Sequence, residues 1–136
     1  MSEILMPIRA VFETVANSEN SIALRESQYV WSLFEDRSGL VWIGTAGFGL
    51  DRLNPSTHRF QTLRTIPFNR NSLRNPFVWD MVEGADGVVW LATLGGLDAY
   101  DPRSARFRHY EPAPGDVGRN QLQSLHIDRG GRFWVG

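Results

Sequence analysis

The hydrophobic positions of this chain fall into short runs separated by polar turns that contain glycine. An apolar run at 29–34 is followed by a turn that ends in Gly39, and a second apolar run occupies 40–45. Two such runs joined by a short turn with glycine predict a β-hairpin. The runs do not alternate cleanly between polar and apolar residues, which is typical of strands buried on both faces.

The same pattern returns at a nearly fixed spacing along the chain. Trp31 lies 48 residues before Trp79, Trp42 lies 48 before Trp90, and Trp134 follows Trp90 by 44. A repeat of this length is typical of propellers and solenoids, in which equivalent positions of successive units form a common surface. A single catalytic constellation is therefore not the first expectation.

Each unit has a glycine three residues before the tryptophan of its second apolar run, and in two units a threonine follows that tryptophan by three residues. These positions are Gly39, Trp42 and Thr45, then Gly87, Trp90 and Thr93, then Gly131 and Trp134. A large aromatic side chain with small neighbours at a fixed place in the repeat predicts a buried packing position between units. We expect these residues to be structural.

Shorter runs complete the unit and define the organisation of the chain. Runs at 50–53 and 97–100 predict a third strand, runs at 59–63 and 106–110 predict a fourth, and residues 11–15 match that fourth strand 48 positions earlier. Four strands per unit predict an all-β fold of four-stranded antiparallel β-propeller blades. The predicted organisation is an N-terminal extension (1–11), an outer strand of a preceding blade with its linker (12–28), blade 1 (29–76), blade 2 (77–121) and the first hairpin of a third blade (122–136). This amounts to an incomplete propeller of two and a half to three blades.

Composition narrows the function classes. The 136 residues include 14 basic and 15 acidic ones, well interspersed, and a net charge of −1 gives no basic surface for nucleic acid. Cysteine is absent, the apolar runs are too short to cross a membrane, and the first residues make a poor signal peptide. Because an incomplete propeller leaves strand edges and apolar faces open, self-association through the blade edges is predicted.

The sequence offers no constellation for catalysis. His58, His109 and His126 fall at unrelated places in the repeat, so we expect no metal site, no cofactor and no catalytic residues. Acidic residues recur at the hairpin turns, where side-chain oxygens are expected to accept hydrogen bonds from turn amides. They are Glu35, Asp36, Glu83, Asp86 and Asp128, while Asp51 and Asp98 recur in the third strand.

The position of the first tryptophan in the repeat is the best candidate for ligand binding. Trp31 and Trp79 are matched by Gln123 in the third unit, so the position is not restricted to an apolar core residue. Packing is the favoured interpretation. The alternative is an aromatic platform near the mouth of the central channel, where a sugar ring could stack, with Tyr29 and Phe77 beside it.

The segment Val-Trp-Ser-Leu-Phe-Glu-Asp-Arg-Ser-Gly-Leu-Val-Trp-Ile-Gly-Thr at 30–45 resembles the two-component regulator propeller repeat. The resemblance extends over most of the chain and implies part of a periplasmic, non-catalytic sensor propeller of a hybrid histidine kinase or related protein. It also implies a small extracellular ligand, often an oligosaccharide. Two alternatives stay open: a propeller enzyme similar to the streptogramin lyases, which use histidine and magnesium, and a purely structural or dimer-forming propeller.

Overall fold

The computed structural model describes residues 30–136, and these contain ten β-strands. None of the described residues forms a helix with the length and apolar character needed to cross a membrane. The strands are β1 (Val30–Glu35), β2 (Val41–Thr45), β3 (Leu50–Asn54), β4 (Arg59–Leu63), β5 (Val78–Glu83), β6 (Val89–Thr93), β7 (Gly96–Asp101), β8 (Arg106–Tyr110), β9 (Leu125–Ile127) and β10 (Phe133–Val135).

The strands form two four-stranded antiparallel sheets and one hairpin. Blade 1 has the strand order β1-β2-β3-β4, blade 2 has the order β5-β6-β7-β8, and β9 pairs with β10. The first strands of neighbouring units lie side by side, β1 next to β5 and β5 next to β9. The predicted all-β fold of four-stranded propeller blades is therefore confirmed. The predicted outer strand at 11–15 lies outside the described residues.

The first turn of each unit is tied to the tryptophan that follows it. Gly39 has φ +88°, a left-handed conformation that favours glycine. The Oδ1 atom of Asp36 accepts hydrogen bonds from the backbone N–H groups of Ser38 and Leu40. Its Oδ2 atom accepts one from Trp42 Nε1 at 2.7 Å. The Asp36 carboxylate therefore accepts hydrogen bonds from turn amides, as expected from the sequence. Its bond to the Trp42 indole was not expected from the sequence.

The other two turns vary this arrangement. In the third unit, Asp128 accepts a hydrogen bond from Trp134 Nε1 at 3.0 Å. Blade 2 has Gly84 in the place of Asp36, and Asp86 accepts from the N–H of Val88 instead. A Cβ atom at Gly84 would lie 3.3 Å from Trp90 Nε1. Blade 2 therefore lacks a carboxylate at the position that bonds the indole in the other two units.

The core between blades 1 and 2 is built around Trp42. Its side chain is fully buried, and its ring meets that of Tyr100 of blade 2 edge-on, with 5.9 Å between centroids. Small residues beside it allow the blades to approach, since a Cβ atom at Gly44 would lie 3.0 Å from the carbonyl oxygen of Val78. The packing role predicted for Trp42 agrees with this placement.

Burial of the three equivalent tryptophans declines along the chain. Trp42 is fully buried by blade 2. Trp90 is partly buried, with its ring 4.4 Å from that of Phe133 in the β9–β10 hairpin. Trp134 is 58% exposed, and the packing role predicted for it stays a prediction. Within its own hairpin, the indole donates to Asp128 and the Arg132 guanidinium lies 5.8 Å from the ring centroid.

The turns between third and fourth strands contain a feature that the sequence does not signal. Asn54 and Asp101 accept hydrogen bonds from the backbone two residues later, as expected for a polar residue before proline. However, His58 and Ala105 close these turns with φ of +56° and +55°. Neither residue type favours that conformation as glycine does.

Candidate aromatic site

The tryptophans Trp31 and Trp79 occupy equivalent irregularities in the first strands. The pairing of β1 with β2 shifts between Val30 and Ser32, which leaves Trp31 as an extra residue. The pairing of β5 with β6 shifts in the same way around Trp79. An extra residue in one strand changes the direction of its side chain, and such bulges are frequent beside functional sites.

The third unit repeats this irregularity at Gln123. The backbone N–H groups of Gln123 and Ser124 both donate to the carbonyl oxygen of Gly136, at 2.6 and 3.1 Å. Gln123 and Ser124 are thus both paired with the single residue Gly136, which is the arrangement of a β-bulge, as in blades 1 and 2. Gln123 is exposed and precedes β9, so the third unit places an amide where the other two have an indole.

The two bulge tryptophans stack on each other across the boundary between the blades. Their ring centroids are 3.9 Å apart and their planes differ by 14°. Phe77 lies against Trp31 with 5.6 Å between centroids, and its side chain is 37% exposed. We call Trp31, Phe77 and Trp79 the aromatic cluster. It lies at the start of β1 and β5, at the opposite end of these strands from the Asp36 turn.

Phe77 is held by both blades. Its backbone N–H donates to Asn75 Oδ1 at 2.9 Å, and its carbonyl oxygen accepts from Leu94 of blade 2. On the other side, Gly47 of blade 1 has φ +92°, and a Cβ atom there would lie 3.1 Å from the Phe77 ring. Because glycine is present, the β2–β3 turn can pack directly on this ring.

One donor in the cluster has no acceptor. Trp79 Nε1 is buried and makes no hydrogen bond within the described part of the chain. Leaving a buried N–H without a partner costs about 1–3 kcal/mol. Such a group is uncommon in folded proteins and calls for an explanation in each case.

The predicted ligand residues are thus placed as follows. Trp31, Phe77 and Trp79 come together, Gln123 occupies the matching place in the third unit, and Tyr29 lies outside the described residues. The stacking of Trp31 on Trp79 is compatible with the packing interpretation made from the sequence. The use of this cluster by a ligand stays a prediction.

The histidines lie on separate elements. His58 is in the β3–β4 turn, His126 is exposed on β9, and His109 on β8 contacts Asp98 at 2.6 Å. Among residues 30–136, no three His, Cys, Asp or Glu side chains are grouped as a metal site would require.

A polar contact joins the blades at the end opposite the aromatic cluster. The Arg37 N–H donates to Glu83 Oε1 at 2.9 Å, its Nε lies 3.3 Å from the same carboxylate, and its guanidinium donates to the Gly84 carbonyl oxygen. Arg37 and Glu83 line a shallow cavity of about 360 Å³. A larger one, about 560 Å³, lies on the Trp90 and Tyr110 face of blade 2. Neither of these two cavities is lined by the aromatic cluster.

Residues 25–47 and 72–95 both match the model of the family described as "Two component regulator propeller". These two segments are similar to two-component regulator propeller repeats. The matched segments contain the two bulges and, in blade 1, the Asp36 turn. The family resemblance expected from the sequence is therefore confirmed.

Solved structures with the same fold include two extracellular domains from B. thetaiotaomicron. One belongs to BT3049, assigned to the hybrid two-component systems: it is 21% identical, with a TM-score of 0.70, and the match covers 88% of this chain and 17% of that one. The other belongs to BT4673, assigned to the one-component systems. It is 22% identical, with a TM-score of 0.67, and the match covers 91% of this chain and 16% of that one. The repeats described here span about a sixth of either domain.

A propeller enzyme also has a similar fold. Virginiamycin B lyase from Staphylococcus aureus is 14% identical with a TM-score of 0.57, and the match covers 78% of this chain and 33% of the lyase. At this identity the likeness shows the fold alone. No curated protein matches the chain in sequence.

Proposed function

We propose that these repeats form part of the extracytoplasmic sensor propeller of a two-component signalling protein, and that they bind a small molecule without transforming it. The ligand class we expect is an oligosaccharide. The observation that carries the proposal is the stacked pair Trp31 and Trp79. The extracellular location of the domains from B. thetaiotaomicron supports an extracytoplasmic site.

The aromatic cluster has the chemistry that a sugar ring requires. Aromatic rings offer a large, rigid apolar surface with little rotamer entropy to lose, and the C–H face of a pyranose can bury against it. Binding sites of this kind combine apolar walls with a few polar groups that fix orientation. The polar groups at the three equivalent positions are the indole N–H groups of Trp31 and Trp79 and the side-chain amide of Gln123.

The bulges favour a functional interpretation over packing alone. A bulge changes the direction of the side chain at the extra residue, and on both blades that residue is a tryptophan. A ligand spanning two or three blades would then meet two indoles and one amide. A saccharide of several rings has the length to do so.

The test is a calorimetric screen of oligosaccharides against the full chain, followed by the variants Trp31→Ala and Trp79→Ala. Trp134→Ala is the matched control, since Trp134 is exposed on another element. We expect a saccharide whose affinity falls at least tenfold in the two cluster variants and stays unchanged in the control. Thermal unfolding of each variant separates loss of the site from loss of the fold.

The alternatives give different results. Turnover of a streptogramin in the presence of magnesium would replace the proposal with a lyase. Self-association that depends on the cluster, with no ligand in the screen, would favour the structural propeller. Binding that survives both tryptophan substitutions would move the ligand site elsewhere.

A further inference from the structure

The imidazole of His109 contacts an acceptor with each of its nitrogens. Nδ1 lies 2.6 Å from Asp98 Oδ1, and Nε2 lies 2.7 Å from the backbone carbonyl oxygen of Arg70. Asp98 is on β7, next to β8, whereas Arg70 belongs to the crossover segment, residues 64–77, that connects blade 1 to blade 2. His109 therefore joins this segment to the outer part of blade 2.

The two contacts require one proton more than a neutral imidazole and a carboxylate supply. A carbonyl oxygen can only accept, so Nε2 must carry a proton. Nδ1 then faces Asp98 either as a second N–H against a carboxylate or as an acceptor from a protonated carboxyl. In both arrangements the pair holds one shared proton. If this proton is lost while Nε2 keeps its own, the lone pairs of Nδ1 and Asp98 Oδ1 face each other at 2.6 Å. If the remaining proton moves to Nδ1 instead, Nε2 can no longer donate to the Arg70 carbonyl oxygen.

The surroundings hold the pair in place. Asp98 is fully buried, and burial raises the pKa of its carboxyl above the ordinary value, even though His109 and Arg74 act in the opposite direction. Two charged groups face the pair. The Arg74 guanidinium has its Nε 3.9 Å from Asp98 Oδ1, while the backbone N–H of Arg74 donates to Asp98 Oδ2 at 2.8 Å. Glu111 accepts from the Arg74 guanidinium at 2.9 Å. Across β6, Asp98 pairs with the apolar Leu91.

Other contacts place the crossover segment on the same edge of blade 2. The side chain of Asn71 accepts from the Phe107 N–H at 2.8 Å and donates to the Ala105 carbonyl oxygen at 3.2 Å. It therefore occupies the open edge of β8 as a further strand would. The crossover segment ends at Phe77. The contacts that hold this segment on blade 2 therefore also help to position one member of the aromatic cluster.

We propose that His109 and Asp98 form a proton-dependent clasp, which closes the crossover segment onto blade 2 while the pair shares a proton and releases it when that proton is lost. The clasp is closed at low pH and opens as pH rises, because the folded arrangement needs the extra proton and the released segment does not. This direction agrees with the effect of burial on Asp98, since a carboxyl whose pKa is raised by folding loses stability as pH rises through that pKa.

Blade 1 supplies an internal comparison. Asp51 matches Asp98 in the repeat, and its partner is Thr62, which donates its hydroxyl to Asp51 Oδ1 at 2.6 Å. A threonine hydroxyl makes this bond at any pH near neutral and does not titrate. The variant His109→Thr copies blade 1 into blade 2, so it should keep a bond to Asp98 and lose both the contact with Arg70 and the dependence on pH.

The experiment is hydrogen exchange of the full chain at about pH 5.5 and pH 8, corrected for intrinsic exchange, across the range in which histidines titrate. The amides of Leu73 and Arg74 report on the segment, and the amide of Thr45, bonded to Gly49 within blade 1, is the reference. We expect protection of the segment to fall roughly tenfold at the higher pH, the factor for one lost hydrogen bond. The reference should not change. His126→Gln, at an exposed histidine, should behave like the parent chain.

Three results would overturn the clasp. The first is a segment whose protection is independent of pH in the parent chain. The second is a pH dependence that persists in His109→Thr. The third is equal loss of protection at Thr45, which would mean global unfolding. Imidazole nitrogen shifts would then show directly whether His109 loses its proton while the segment stays closed.

Discussion

The indole nitrogen of Trp42 donates a 2.7 Å hydrogen bond to Asp36, which caps the turn six residues earlier. One buried carboxylate thus connects a solvent-facing turn to the side chain that fills the space between two blades. The Asp36 turn and the Trp42 core contact of blade 1 are therefore coupled. A substitution that disrupts one of them should also destabilise the other.

Replacement of Asp36 by alanine should lower the free energy of unfolding by about 2–3 kcal/mol, because it removes the acceptor of two turn amides and of a buried indole. Urea unfolding monitored by tryptophan fluorescence would measure the loss. Asp86→Ala is the control, since Asp86 accepts from a single turn amide in the exposed part of blade 2. Equal small losses in the two variants would contradict a shared role for Asp36.

Removal of the buried tryptophan should have a much larger effect than removal of its exposed counterpart. We expect Trp42→Ala to cost about 3–5 kcal/mol, the usual range for a large aromatic residue in a core. Trp134→Ala should change stability by less than about 1 kcal/mol, since this side chain is mostly exposed. Denaturant unfolding of both variants would show the difference, and a Trp42→Ala variant as stable as the parent chain would refute the placement of Trp42.

Blade 2 can be given the missing carboxylate. Gly84 does not have a left-handed backbone, and a Cβ atom there would approach Trp90 Nε1, so aspartate at this position can reach the indole. That Cβ atom would also lie 3.0 Å from Asp86 Oδ1, so we pair the change with Asp86→Ser, which copies Ser38 of blade 1. The double variant Gly84→Asp, Asp86→Ser should gain about 1 kcal/mol in urea unfolding. Gly84→Asp alone should gain less because two carboxylates would be close together.

The hydrogen bond from Trp134 to Asp128 should be visible in an acid titration. This bond is the largest of the causes that lower the pKa of Asp128, ahead of the backbone bond from Arg132. A carboxyl whose pKa is lowered by folding contributes stability above its unfolded pKa, and that contribution disappears as pH falls through the folded pKa. Trp134→Phe removes the donor, so the Asp128 pKa should rise toward its ordinary value in a carboxyl NMR titration. An unchanged titration would show that the bond does not form in solution.

The sequence predicts the repeating parts of this molecule well. Three sequence signals predict these parts without reference to distant residues. They are the glycine at Gly39, the period between Trp42 and Trp90, and the proline after Asn54. They were sufficient for the fold and for the order of the strands in each blade.

The sequence predicts less where a feature depends on neighbouring units. The bulge at Trp31 depends on the hydrogen-bond register with β2, and a one-residue shift leaves no mark in composition. Exposure of Trp134 depends on what packs beside it, and the repeat pattern alone treats all three tryptophans alike. The His109 contacts were missed because His109, Asp98 and Arg70 come from three different segments.

The contact of Arg37 with Glu83 has a consequence for how units of this kind can be rearranged. The matching positions one unit later carry Ala85 and Ile127, which cannot form an ion pair. Each boundary thus has its own matched residues, and neighbouring units are not interchangeable parts. A gene duplication or shuffling event that placed the Ala85 edge against the Glu83 edge would leave the carboxylate without its arginine.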